Sequence, residues 1–172
     1  MKKNIKTVIT LFLISGISGL LLNTFNNFTA ERIKENYINK IEKIAFSIYE
    51  EAESIEIINI DGYEFVVSEI KCFNLDKVEV GSLFEVKGNN KFGSISLLVA
   101  IDNNFIKDVR VLSMNQSYGK TAKSFITNNF SEDISFTNLD NLDLKCGATT
   151  SAKLIKALLD DVVKVYGDRY EG

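Results

Sequence analysis

The stretch Phe92-Gly93-Ser94-Ile95-Ser96-Leu97-Leu98-Val99-Ala100-Ile101-Asp102-Asn103-Asn104-Phe105-Ile106-Lys107-Asp108-Val109-Arg110-Val111-Leu112-Ser113 reads as two strands joined by a tight turn. Ile and Val lose little by being extended and pack well on a pleated surface. Asp102-Asn103-Asn104 supplies side chains that bond to their own backbone and tolerate left-handed conformations. So short a connection fits antiparallel neighbours and is too short for a parallel crossover. Upstream, Ile55–Asn59, Tyr63–Glu69 and Leu83–Lys87 repeat the pattern, with turns expected at Asp61-Gly62 and Gly88-Asn89-Asn90. The middle of the chain is therefore an antiparallel sheet.

On either side the period changes to that of a helix. Ile33, Tyr37/Ile38, Ile41, Ile44/Ala45 and Ile48/Tyr49 recur with Lys and Glu between them, which predicts an amphipathic helix from Glu31 to about Glu53. Downstream of the sheet, Asn115–Lys120 forms a loop leading into a short helix, Thr121–Phe130, with Phe125 and Phe130 facing the core. An Asn- and Asp-rich connector, Ser131–Asn141, follows. Leu154/Ile155, Leu158/Leu159, Val162/Val163 and Tyr166 then mark a last core helix over Ala152–Tyr166, with Thr150 or Ser151 as its cap. The class is α+β: an antiparallel sheet flanked by helices.

The N-terminus adds a different element. Residues 7 to 30 carry no charge, and Val8–Leu22 is nearly all apolar, close to the roughly 20 residues that cross a bilayer. Lys2, Lys3 and Lys6 precede this run and no basic residue follows until Arg32, which puts the N-terminus in the cytoplasm. The rival reading, a cleaved signal peptide, needs a small residue two before Ala30, and Phe28 stands there. The expected organisation is a cytoplasmic tip and single transmembrane helix over 1–28, then an extracytoplasmic domain over 29–172. Ser15 and Gly19 are spaced as in helices that approach one another closely, though such residues are common in membrane spans generally.

Composition narrows the chemistry. The 172 residues, 45% hydrophobic and 25% charged, suffice for one globular domain with an appendage. Net charge is −3, so nucleic acid is not an expected partner. His is absent and Cys occurs only at 72 and 146, which leaves no usual ligand set for haem, zinc or iron–sulfur clusters. Neither a Ser-His nor a Cys-His nucleophile can be assembled, and no catalytic residue is assigned. Redox work by this chain would need an organic cofactor.

One stretch is placed to hold such a cofactor. Asp143-Leu144-Lys145-Cys146-Gly147-Ala148-Thr149-Thr150-Ser151 sets hydroxyls at the start of the last helix. There the unpaired backbone N–H groups and the positive end of the helix dipole favour a phosphate. The residues alone are equally those of a glycine turn with a hydroxyl cap.

Asp143-x-x-Cys146-Gly147-Ala148-Thr149 resembles the flavinylation motif Asp-x-x-(Ser/Thr)-Gly-Ala-Thr of the FMN-binding domain family, and Phe92–Ser113 resembles that family's hairpin. The anchor followed by Thr29-Ala30-Glu31-Arg32-Ile33 is similar to the start of the RnfG and NqrC subunits of ion-translocating respiratory complexes. The resemblance implies FMN joined to Thr149 by a phosphoester, delivered from FAD by a separate flavin transferase. It implies that Gly147, Ala148, Thr150 and Asp143 belong to the attachment site, while a turn-stabilising or capping role accounts for Asp143 equally well. Cys146 stands in place of the usual Ser or Thr, as a weaker hydrogen bonder. Gln116, Ser117, Tyr118 and Gly119 stand where the family has the first four residues of Glu-Thr-Pro-Gly-Leu-Gly, and Tyr118 there is either an aromatic contact to the flavin or a turn residue. The implied function is that of an electron-transfer subunit of an Rnf-type ferredoxin:NAD+ complex, partnered by the complex's other membrane subunits and not a self-contained enzyme. An NqrC-like subunit of a quinone reductase, a free-standing flavin carrier and a flavin-free structural subunit are the alternatives.

Overall fold

The computed structural model describes residues 2–130 and 133–170, with side chains left out for 2–5, 7 and 27. In chain order the elements are α1 (Lys2–Ile48), β1 (Ser54–Asn59), β2 (Val66–Phe73), β3 (Glu79–Asn90), β4 (Gly93–Asp102), β5 (Phe105–Gln116), α2 (Gly119–Asn129), β6 (Ile134–Ser135), a short 3-10 helix (Phe136–Asn141) and α3 (Thr149–Tyr170). By its internal contacts the chain divides into two units, Met1–Lys40 and Ile41–Gly172.

The first unit is helical. One helix near the N-terminus, starting its apolar stretch at Val8, is long and apolar enough to cross a membrane. Its large side chains are exposed, with Phe12 at 80% and Leu20 at 71%. Thr10, Thr24 and Thr29 donate their hydroxyls to the carbonyls of Lys6, Leu20 and Phe25, so those polar groups are satisfied within the helix.

The second unit is built on a six-stranded antiparallel meander in which every strand neighbours the next in sequence. Alternation along the strands splits the apolar side chains between its two faces. On one face Phe84, Val86, Leu97 and Val99 pack with Phe125 of α2 and Ile155, Leu158 and Leu159 of α3. On the other, Leu83, Leu98, Ala100 and Ile70 pack with Ile41, Ala45 and Tyr49. Helices thus flank the sheet on both sides, as the sequence predicts.

The differences from the sequence reading have physical causes. Gly88-Asn89-Asn90 is not a turn: β3 runs through it, and Gly88 lies under α3, where a Cβ would stand 2.8 Å from Leu154 Cδ1 and 3.0 Å from Leu158 Cδ2. Close helix–sheet packing, not turn geometry, places glycine there. The β3–β4 turn falls instead on Lys91-Phe92, closed by Gly93 at φ +129°, whose ideal Cβ would lie 1.9 Å from the Asn115 carbonyl oxygen. The Asp102–Phe105 turn is as expected, with Asn103 and Asn104 at φ 47° and 67°.

The second strand starts at Val66, not Tyr63, because Asp161 of α3 takes the N–H groups of Phe65 (2.7 Å) and Val66 (3.2 Å) and holds the preceding loop. The first helix ends at Ile48, short of Glu53. There the Tyr49 hydroxyl donates to Ser82 O at 3.0 Å, and Glu53 N–H already donates to Phe73 O at 2.8 Å. The connector expected from Ser131 begins outside the described residues, and its remainder forms β6 and the 3-10 helix.

Candidate functional site

The start of α3 is set by Gly147. Its φ of +73° is a conformation that costs glycine nothing, and it turns the chain so that the Ala148 carbonyl accepts from both Ser151 N–H (2.9 Å) and Ala152 N–H (3.0 Å). The helix therefore begins at Thr149, one or two residues before the expected cap. Thr150 and Ser151 lie inside the first turn and are not its caps.

This start fixes the fate of three consecutive hydroxyls. Thr149, the first helical residue, is exposed; Thr150 is half-buried. Ser151 is 1% exposed and donates its hydroxyl to Gln116 Oε1. Gln116 in turn donates through Nε2 to Asn90 Oδ1 and Gly93 O, each at 3.1 Å. Asn90 Nδ2 also reaches the Thr150 carbonyl at 3.5 Å. The ends of β3, β4 and β5 are thereby tied to the first turn of α3.

The upstream part of the motif does structural work. Asp143 Oδ1 accepts the Lys145 N–H at 2.9 Å, and Cys146 N–H donates to Leu144 O at 3.1 Å, so two tight turns carry the chain into Gly147. Cys146 packs against the α3 face of the core, whereas Cys72 is buried with the cluster on the other face; both are free thiols.

A cavity of about 420 Å³ lies alongside, lined by Met114 and the run from Gln116 to Thr121, with Lys123 at its edge. It reaches the motif through two residues: Gln116, bonded to Ser151, and Thr121, whose Cγ2 stands 3.8 Å from where a Cβ on Gly147 would be. Tyr118 is half-exposed on its wall and meets Phe92 edge-on, with ring centroids 5.3 Å apart. Lys91 Nζ sits 5.0 Å from the Phe92 ring centroid. The volume falls within the roughly 300–1,000 Å³ usual for small-molecule sites.

The electrostatics favour an anion. Neither α2 nor α3 has an acidic residue in its first turn, and Tyr118 at the α2 cap makes no side-chain capping bond. The positive ends of both helices are therefore left uncompensated by their own sequences. An exposed hydroxyl thus stands at the first position of a 22-residue helix, a place that could hold a phosphate ester. Among the described residues no cluster of His, Cys, Asp or Glu could hold a metal.

Of the residues that the sequence points to, Tyr118 lines the cavity and Gly147 adjoins it through Thr121. Ala148, Thr149 and Thr150, like Asp143 and Cys146, are not among its lining residues. Asn90, Phe92 and Thr121 carry no local signal of a site: Asn90 sits in an apparent turn sequence, and nothing in the pattern links Thr121 to Gly147. A scan against protein-family models and a search of curated proteins found no match to this chain.

Proposed function

We propose that the protein is a membrane-anchored electron-transfer subunit carrying FMN on Thr149 through a phosphoester. The observation that carries this reading is the sorting of the three hydroxyls: Thr149 is exposed at the helix start, Thr150 is half-buried and Ser151 is engaged by Gln116. The resemblance of Asp143–Thr149 to a flavinylation motif supports it. So does an apolar N-terminal helix long enough to hold the domain at a membrane. Lys2, Lys3 and Lys6 before that helix's apolar stretch favour a cytoplasmic N-terminus and an extracytoplasmic domain.

When bound, FMN supplies one- and two-electron transfer. The chain's own residues accept and hold it. Thr149 Oγ1 forms a bond to the flavin-side phosphorus of FAD, the pyrophosphate linkage breaks, AMP leaves and the hydroxyl proton goes to solvent; a separate flavin transferase performs this step. Gly147 and Ala148 keep the approach to the hydroxyl free of bulk. Ser151 and Ala152 N–H already donate to the Ala148 carbonyl, so the Thr149 and Thr150 N–H groups would be the ones to meet the phosphate's charge. Tyr118 and Phe92 offer aromatic edges to the ring system. The proposed setting is an ion-translocating complex of the Rnf type, whose other membrane subunits supply and accept the electrons.

The test is co-expression of the full chain with a flavin transferase, followed by denaturing electrophoresis. In-gel flavin fluorescence is expected for the wild type and is lost in Thr149→Val. No fluorescence in the wild type would refute attachment and leave a flavin-free structural subunit as the better reading.

A further inference from the structure

The first strand lies at one edge of the sheet. Among the described residues β1 pairs with β2 and with no other strand, and the chain on both sides of it, 49–53 and 60–65, is described as well. Ile60 N–H donates to Val67 O at 3.0 Å, which continues the β1–β2 register by one residue. Alternate residues of an antiparallel strand bond to the same side. Ser54, Glu56 and Ile58 therefore turn their N–H and C=O groups to β2, and Ile55, Ile57 and Asn59 turn theirs outward. No backbone or side-chain group among the described residues bonds to those three. Ser54, Glu56, Ile57 and Asn59 are exposed, Ile57 by 36%.

Charge along this edge has one sign. Between Lys43 and Lys71 there is no basic residue and there are seven acidic ones. Glu69 is buried and paired with Arg169 at 2.9 Å. The other six, Glu50, Glu51, Glu53, Glu56, Asp61 and Glu64, are exposed, and among the described residues none is in an ion pair. Lys71 stands across from Glu56 on β2 but is engaged by Glu79 at 2.9 Å. The two faces of β1 also differ. Ile55 and Ile57 lie opposite Cys72 and Ile70, on the face of the second core cluster, whereas Glu56 projects to the other face.

We propose that β1 is a docking edge for a basic, extended segment of a partner protein, which adds a strand along Ile55–Asn59. Backbone pairing to Ile55, Ile57 and Asn59 gives the affinity, and the side chains of the segment alternate, apolar beside Ile57 and basic beside Glu56. Like charge disfavours the other occupants of this edge: the β1 of a second copy, a nucleic acid and an anionic membrane surface. Acidic side chains guard an open edge against self-pairing, and the same charge selects a basic polypeptide. The inference stands on β1 alone and is independent of the chemistry at Thr149.

The probe is an acetylated peptide of alternating Lys and Val, added to the full chain in phosphatidylcholine nanodiscs, with empty nanodiscs as the blank. Saturable binding by fluorescence anisotropy is expected with a Kd at or below ~1 mM. Hydrogen exchange should slow at Ile55, Ile57 and Asn59 and stay unchanged at Glu56 and Ile58, whose amides already face β2. N-methylation of the peptide's central amides should abolish binding, and Glu56→Lys should weaken it about tenfold. That variant changes an exposed side chain, and unchanged exchange in β3 and β4 confirms its fold. The proposal is overturned by absence of saturable binding, by binding that survives N-methylation, by protection that falls elsewhere, or by indifference to Glu56→Lys. It is equally overturned if a peptide of alternating Glu and Val binds as tightly.

Discussion

Replacing Gly93 with Ala tests the geometry on which the site depends. At φ +129° a residue with a Cβ is strained by about 1–3 kcal/mol. The new atom would also stand 1.9 Å from Asn115 O and 3.0 Å from Asn115 C, both backbone atoms of the paired strand, so no side chain can swing aside. Relief requires the β4–β5 pair to open at Gly93↔Gln116, which forfeits one or two backbone hydrogen bonds at about 1 kcal/mol each. The expected loss is about 2–5 kcal/mol. Gly62→Ala is the control: its φ is +94°, yet nothing lies within 4 Å, and the loss should be about 1 kcal/mol. At roughly 3 °C per kcal/mol, Gly93→Ala should lower Tm by about 6–15 °C and Gly62→Ala by about 3 °C. Near-ultraviolet circular dichroism of the Tyr and Phe side chains follows the melt. Equal shifts in the two variants would show that the Gly93–Asn115 approach is not a constraint, and the anchoring of Gln116 would lose its basis.

Burial pushes the Cys72 thiol up from its ordinary 9.0 to about 12, with the nearby Glu79 adding to the effect. The folded state then keeps a proton that the unfolded state gives up, so the stability this group contributes is intact below pH 9 and falls as pH rises toward 12. Denaturant titrations at stepped pH should show that decline, and Cys72→Ala should reduce its slope; an unchanged slope would contradict the assignment. With an alkylating reagent at neutral pH, half-buried Cys146 should react and fully buried Cys72 should not, as read by mass spectrometry. Asp161→Ala removes the acceptor for two backbone N–H groups and should cost about 1–3 kcal/mol, with amide exchange quickening first at Phe65 and Val66.

Much of the fold is legible in the residues because it rests on periodicity. The run from Ile95 to Ile101, the Asp-Asn-Asn turn and the Leu154–Tyr166 stripe each declare their element without reference to any other part of the chain. What escapes is set by contacts between distant segments. Gly88 looks like a turn glycine until Leu154 and Leu158 are seen above it, and Gly93, the true turn glycine, owes its place to the Asn115 carbonyl. The candidate site divides in the same way. Gly-Ala-Thr is visible as a motif, and its position before a helix is visible from the pattern. That the helix absorbs Thr150 and Ser151 follows from the left-handed Gly147, and that Ser151 is engaged follows from Gln116, 35 residues away. No local rule connects those two side chains; the β3–β4 and β4–β5 hairpins bring them together.

These contacts also sharpen what the account claims, which is one hydroxyl among three neighbours. Trypsin should release Cys146–Lys153 as a single peptide containing Thr149, Thr150 and Ser151. Fragmentation of that peptide, from full-length protein matured with a flavin transferase, assigns the adduct to one of them. The account predicts the mass of FMN less water on Thr149 alone. An adduct on Thr150 or Ser151, or an unmodified peptide, would contradict it.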